Sequence, residues 1–527
     1  MDRWQRFIWL AGAFLYALLG SLGSQIDSVG CTEAARSLVG FLVRFPAALA
    51  ILWILLKFLP EKWKYGKQTE RDHHQISWKF TAGVFLILLL FWLPMFLIQY
   101  PGSFMYDTQR QTYQIARNHY DAFHPLIHTS MLRLCLAAFP LFQSIEKCAA
   151  LYSVWQMLLL AFCFSQVVSS VGRVWGRGRG ILAAAFFALY PAHMAMACNY
   201  VKDVLFSGFF SLFVILNFED SGFGLHGIAK AELFVSGILA CLFRNNMIYA
   251  LAAWGILLLF FRKGRKRAVC VFLICAAALL ANEGMIRALH AERGSVGEML
   301  SVPVQQLARA RTQCPSVFTE EEAAQMDSFF QSEGWKNYDP TLSDPVKVDL
   351  DEEKLRSGMG QFLKLWIEIG AKCPGVYLDA FLNLTLPSLY PYRQYHVSQP
   401  YLETGLQPGV VTAPFAQAPM TQPGRFAALR DWLDRNIYAT GADHIPVLGW
   451  IMNTGVVYWF LLLCVIRILY EKDWKSFMIA MLPLLLYGTY LLGPVMQGRY
   501  LYPFVCVSPF LASSALKRKN QYPEAVL

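Results

Sequence analysis

The chain has 527 residues, of which 56% are hydrophobic and only 16% charged; an ordinary soluble domain holds about 45–50% apolar and about 25% charged residues. Its formal charge of +10 sits in short connectors between apolar blocks rather than on a continuous basic face, which argues against nucleic acid as a partner. A soluble reading would need many fully buried long helices, so composition leaves a polytopic membrane protein.

The apolar blocks run to about 16–22 residues, enough to cross a hydrocarbon core of about 30 Å. In chain order they predict spans near 7–22, 38–58, 80–99, 150–170, 180–194, 203–217, 230–245, 247–262, 268–284, 446–468, 476–493 and 498–515. The first follows a basic start, Met1 to Arg6, with no good cleavage pattern behind it, and reads as a retained span. The connector 59–79 carries Lys62, Lys64, Lys67, Arg71 and Lys79, and the connector 171–179 carries Arg173, Arg177 and Arg179. Residues 262–267 read Arg-Lys-Gly-Arg-Lys-Arg, and the tail holds Lys517, Arg518 and Lys519. All fall on one side of this span arrangement, which the positive-inside rule makes the cytoplasm, with both termini there and the cell membrane as the location. Leu126 to Phe142 is also apolar, but counting it as a span would invert every later connector. It therefore reads as an interfacial helix on the outer surface.

The expected fold is all-α and polytopic, with about 12 transmembrane helices, interfacial helices and a small, mostly helical extracytoplasmic domain. It divides into residues 1–79, two spans and a basic connector; 80–285, a transmembrane core with a first outer loop at 100–149; 286–445, the outer domain; and 446–527, three closing spans. In the outer domain, Thr319-Glu320-Glu321-Glu322 predicts a capping box. Helices are expected over 351–372 and 376–386, with an irregular stretch over 394–425. Twelve cysteines show no metal-ligand spacing. Cys314 and Cys373 fall in the hydrophilic domain, where a disulfide and two free thiols are both open readings.

Chemistry is expected where polar residues gather at the outer ends of spans, because ionisable groups near a bilayer are costly. Asp107 follows Tyr100-Pro101-Gly102, and His124 precedes Pro125 with His128 one turn on. Lys202-Asp203 opens the sixth span, Arg244-Asn245 closes the seventh, Gln306 and Arg309 begin the outer domain, and Arg499-Tyr500 opens the last span. Structural alternatives stand beside each. Asp107 can cap a loop helix, His124 can mark a turn, and His128 can simply pack. Lys202, Asp203 and Arg244 can make ordinary ion pairs or reach lipid phosphates, while Gln306 and Arg309 can stitch domain to core. One carboxylate among cations and amides suits transfer of a group from a phosphate-bearing lipid. The carboxylate accepts a proton and the cations offset charge on the departing phosphate. No GxxxxGK[ST], GxSxG or HExxH is present.

The order of these phrases resembles the polytopic glycosyltransferases of the GT-C superfamily. A closer likeness is to an uncharacterised bacterial family of integral membrane proteins of that type. The phrases are Tyr-Pro-Gly…Asp, His-Pro-Leu-Ile-His-Thr, Lys-Asp-Val-Leu-Phe, Phe-Arg-Asn-Asn and Val-Pro-Val-Gln-Gln-Leu-Ala-Arg. The resemblance implies transfer of a sugar from a polyprenyl-phosphate-linked donor to a glycan, lipid or protein acceptor outside the cytoplasm, with inversion. It places Asp107 as base and His124 beside it, and matches Asp203 to an acidic position that binds donor or metal. Lys202, Arg244, Asn245, Gln306, Arg309, Arg499 and Tyr500 are then donor and phosphate contacts. If a metal takes part, Mg or Mn on Asp107 and Asp203 is implied, though a single Asp in the first loop departs from the metal-dependent pattern. A transporter or flippase of a lipid-linked saccharide is the alternative, and a non-catalytic membrane scaffold the second.

Overall fold

The computed structural model describes residues 1–58, 76–103, 105–262, 264–391, 425–438, 442 and 444–516. Nearly all of the expected irregular stretch 394–425, most of the connector 59–79 and the tail cations lie outside these residues. Within them every named element is helical, and no strand forms beyond isolated bridges.

Helix α1 (Arg3–Val29) opens on a capping box. The Asp2 carboxylate accepts from the Gln5 N–H and the Gln5 side chain accepts from the Asp2 N–H. Together with α2 (Ala34–Phe58) it forms a pair, and α3 (Trp78–Ile98) follows. The amphipathic α4 (Tyr106–Arg117) and α5 (Leu126–Leu136) come next, then one turn, α6 (Phe139–Phe142). At about 1.5 Å per residue, the 11 residues of α5 reach roughly 16 Å, too short to cross a hydrocarbon core. The break before Pro140 keeps the 126–142 segment from becoming one long helix.

The centre is built from α7 (Ile145–Trp175), α8 (Arg177–Leu189), α9 (Pro191–Ala197) and α10 (Lys202–Phe223). Every residue of α10 from Asp203 to Glu219 is buried. It packs on α7 and α11 (Gly227–Phe243), and further along the chain on α22 (Trp474–Tyr490) and α23 (Gly498–Ala515). Small residues permit the approach: a Cβ on Gly237 of α11 would stand 2.8 Å from the Phe213 ring. Near the far end of α7, Arg173 holds the buried Glu219 of α10 through two bonds, Nε at 2.6 Å and a terminal nitrogen at 2.9 Å. Helices α12 (Asn246–Leu259) and α13 (Arg265–Leu289) complete this half.

A second hydrophobic core belongs to α14 (Ser301–Gln313), α15 (Glu320–Ser328), α16 (Asp344–Lys347), α17 (Glu352–Lys372) and the start of α18 (Pro374–Leu389). Leu307, Met326, Phe329, Phe362, Leu365 and Ile369 fill it. The Thr319–Glu322 capping box forms, and Asp351 caps α17. Cys314 and Cys373 are both free thiols. This unit docks on the turn after α1: Thr32 donates to Asp379, and the Gly30 carbonyl accepts from Arg309 and Asn383. The chain then continues through α19 (Ala427–Leu433), α20 (Leu448–Met452) and α21 (Thr454–Tyr470) into α22 and α23.

All the expected spans are helical, but they are not all continuous membrane-length helices. Among the described residues six helices are long and apolar enough to cross a membrane: α1, α2, α3, α7, α10 and α13. A seventh arises if α8 and α9, bent by 60° at Tyr190-Pro191, form one span. The segment 446–468 likewise breaks at Asn453, between α20 and α21. Proline explains the first break, since it cannot donate the helical N–H.

Candidate functional site

Two non-helical stretches meet above the centre of the bundle and fix where α4 and α10 begin. The Ser103 N–H donates to the Cys198 carbonyl, and the Tyr200 N–H returns the bond to the Ser103 carbonyl, both at 2.9 Å. Tyr200 Oη donates to the Pro101 carbonyl at 2.6 Å, which Ser153 of α7 also reaches at 2.7 Å. Gln156 of α7 donates to the Asn199 and Ala197 carbonyls at 2.8 and 3.0 Å. Gly102, with φ of 142°, is wedged here; a Cβ would meet Ser153 Oγ at 2.5 Å and the Tyr200 ring at 2.7 Å.

This clamp sets Asp107, in the first turn of α4, against Lys202, the first residue of α10. Lys202 Nζ lies 2.7 Å from Asp107 Oδ2 and 3.0 Å from His124 Nδ1. Arg499, entering from the start of α23, forks onto both carboxylate oxygens at 3.2 and 3.4 Å. Its Nε is held at 2.6 Å by Gln497 Oε1. His124 Nδ1 stands 4.0 Å from the carboxylate. All four side chains are 5–15% exposed.

Burial alone would push the Asp107 carboxyl up, but the charges of Arg499 and Lys202 hold it well below the usual carboxylate range. Burial and then the Lys202 charge push His124 well below its usual value, so it is neutral near pH 7. With Lys202 donating to Nδ1, the imidazole proton is assigned to Nε2. Next to this group stands a second one. Consecutive residues of a helix point to different sides, so Asp203 turns away from Asp107 and pairs with Arg244 at the end of α11. The Arg244 guanidinium sits 4.4 Å from the Tyr490 ring and 4.5 Å from Tyr500. Arg499 lies 5.2 Å from that same Tyr500 ring, so the two ion pairs adjoin through Tyr500.

Seven residues expected from the sequence are thus joined in contact: Asp107, His124, Lys202, Arg499, Asp203, Arg244 and Tyr500. Others are elsewhere. Asn245 is exposed at the start of α12. Gln306 donates to the Tyr377 carbonyl and accepts from Trp366. Arg309 donates to Tyr338 and Gly30 and lies 3.7 Å from Asp379. Gln306 thus ties α14 to α17 and α18 within the second core, and Arg309 holds that core to the turn after α1. His128 bonds Gln111 at 2.7 Å, and Gln111 donates to Thr129, bracing α4 on α5. Tyr490 was not expected, since an aromatic in an apolar run carries no polar signal.

For a divalent cation the residues do not fit. The oxygens of Asp107 are engaged by Lys202 and Arg499, and Asp203, which turns away from Asp107, pairs through Oδ1 with Arg244. Among the described residues no three His, Cys, Asp or Glu gather as a metal site.

A helical bundle with membrane-length apolar helices and a buried cluster of opposite charges at their ends is a multi-pass membrane protein with a polar site at the span mouths. The chain belongs to a family of unknown function (DUF6020), which matches residues 121–525. The match takes in His124, Lys202, Asp203, Arg244 and Arg499 and begins after Asp107. No curated protein and no solved structure matches the chain.

Proposed function

We propose that the protein is a membrane glycosyltransferase of GT-C type. It moves a sugar from a polyprenyl-phosphate-linked donor to an acceptor on the extracytoplasmic face. The observation that supports this most is the single carboxylate of Asp107 shared by two cations and a neutral imidazole at the mouth of the bundle. The placement suits the outer face. Ser153, beside the site, and Arg173, in the basic connector, are 20 residues apart on α7, about 30 Å along the axis.

In the proposed reaction the acceptor hydroxyl gives its proton to Asp107 as its oxygen bonds to the anomeric carbon. The bond from that carbon to the phosphate oxygen breaks, and the electron pair leaves with polyprenyl phosphate. One displacement inverts the configuration. Lys202 and Arg499 have two tasks in sequence. Without donor they neutralise Asp107, which keeps it a poor base. When a phosphate enters they turn toward it, and the proton affinity of Asp107 rises at the moment a base is needed. Arg244, stacked beside Tyr500, adds positive potential on the same side.

Liposomes containing the purified protein and a polyprenyl-phosphoryl sugar labelled in the sugar test this reading. Label should leave the lipid when acceptor glycan is added; label that stays on the lipid, as in protein-free liposomes, refutes it. The transporter reading has one observation in its favour, the 60° break between α8 and α9 inside the bundle. Under that reading the labelled lipid would change leaflet with its sugar–phosphate bond intact.

A further inference from the structure

The polar face of α4 continues beyond Asp107. Arg110, Tyr113, Gln114 and Arg117 follow it at helical spacing, and with His119 and Asp121 they line a cleft of about 560 Å³. Its far wall is fixed by backbone bonds between residues 120–122 and Glu292, with His119 3.2 Å from the Glu292 carboxylate. Arg110 pairs with Asp121 at 2.9 Å and rests 4.5 Å from the Phe123 ring, directly before His124.

Two features of the cleft point to a ligand. Gln114 is only 5% exposed, yet neither its side-chain nitrogen nor its oxygen has a hydrogen-bond partner. A buried amide with both ends unmet is rare in a finished structure. The second feature is Arg117, whose guanidinium lies 4.3 Å over the Tyr113 ring. Among the described residues it has no carboxylate partner, whereas Arg110 and His119 have theirs.

We propose that this cleft is the acceptor subsite and takes an acidic saccharide. The Gln114 amide offers donors and an acceptor, which match sugar hydroxyls that both accept and donate. The half-open Tyr113 ring gives a face for the apolar side of a sugar. Arg117 presents the planar fork that binds a carboxylate bidentately. The role of the site as acceptor subsite rests on the glycosyl-transfer reading; its existence rests on the cleft and the unmet amide. Gln114 lies about 10 Å along α4 from Asp107, so a bound saccharide could extend along the helix toward the base.

The test reads binding without turnover. The full chain in nanodiscs, without donor, is titrated with trigalacturonate, maltotriose and inorganic phosphate by calorimetry. Trigalacturonate should bind saturably, with maltotriose and phosphate at least about tenfold weaker. Gln114→Ala and Arg117→Gln should each weaken trigalacturonate about tenfold. Arg117 is at the surface, so its variant keeps the fold, and an unchanged unfolding midpoint checks the Gln114 variant. Absent trigalacturonate binding, binding indifferent to both substitutions, or equal binding of maltotriose or phosphate would each overturn the proposal. Binding as expected in a protein that transfers no sugar would instead remove the glycosyltransferase reading and leave the saccharide site.

Discussion

Replacing Asp107 by Asn removes the one negative charge that two buried cations share, and its cost can be worked from the geometry. With an effective dielectric of about 20, attraction amounts to about 6 kcal/mol for Lys202 at 2.7 Å and about 5 kcal/mol for Arg499 at 3.2 Å. Most of that is already spent on desolvating the ions, so the expected net loss of stability is about 3–5 kcal/mol, the usual result of leaving a buried charge unpaired. The catalytic loss should be separate and of similar size. Without a proton acceptor transfer should fall about 10³-fold, or about 4 kcal/mol of barrier. To keep the two apart, Lys202→Met is added to Asp107→Asn. The double variant should recover much of the unfolding midpoint in detergent, because one unpaired cation is gone, yet transfer should stay at background. Transfer within threefold of wild type in Asp107→Asn, measured by mass spectrometry of lipid and product, would refute the assignment of the base.

Three other outcomes follow from the structure. Gly102→Ala puts a Cβ against Ser153 and Tyr200 where φ is 142°; it should cost about 1–3 kcal/mol and lower transfer by misplacing α4, and a variant with wild-type unfolding and turnover would contradict the clamp. Arg173→Met removes both of its bonds to the buried Glu219 and should cost about 3–5 kcal/mol, while adding Glu219→Leu should restore the midpoint, since a well-packed apolar pair often replaces a buried ion pair without loss. Both Asp107 and His124 are held below their ordinary values. For each, the unfolded chain binds the proton first as pH falls, so their stabilisation is complete above the unfolded values of about 6.5 for His and about 3.9 for Asp. It is lost as pH drops toward the folded values. The unfolding midpoint should therefore fall between pH 7 and 5, and His124→Gln should flatten that fall; an identical slope in the variant would show that His124 is not its source.

The membrane nature of the chain was legible in its sequence, because burial in lipid demands long apolar helices and leaves a pattern that any window of residues reveals. Local signals were equally plain. The Thr319–Glu322 capping box and the Asp351 start of α17 formed as their spacing requires, since each bond closes within three or four residues. Polar phrases at span ends could be picked out, but not sorted. Arg309 looks as eligible as Arg499 by sequence, yet one ties the second core to Gly30 and the other reaches Asp107 across 392 positions of chain. Span continuity was also out of reach, because whether a proline or asparagine breaks a helix depends on what its neighbours then satisfy. Sequence supplied candidates for charge; only tertiary packing decided which charges meet, for ion pairs act over a few ångströms and the chain brings those atoms together by docking two loops on α7.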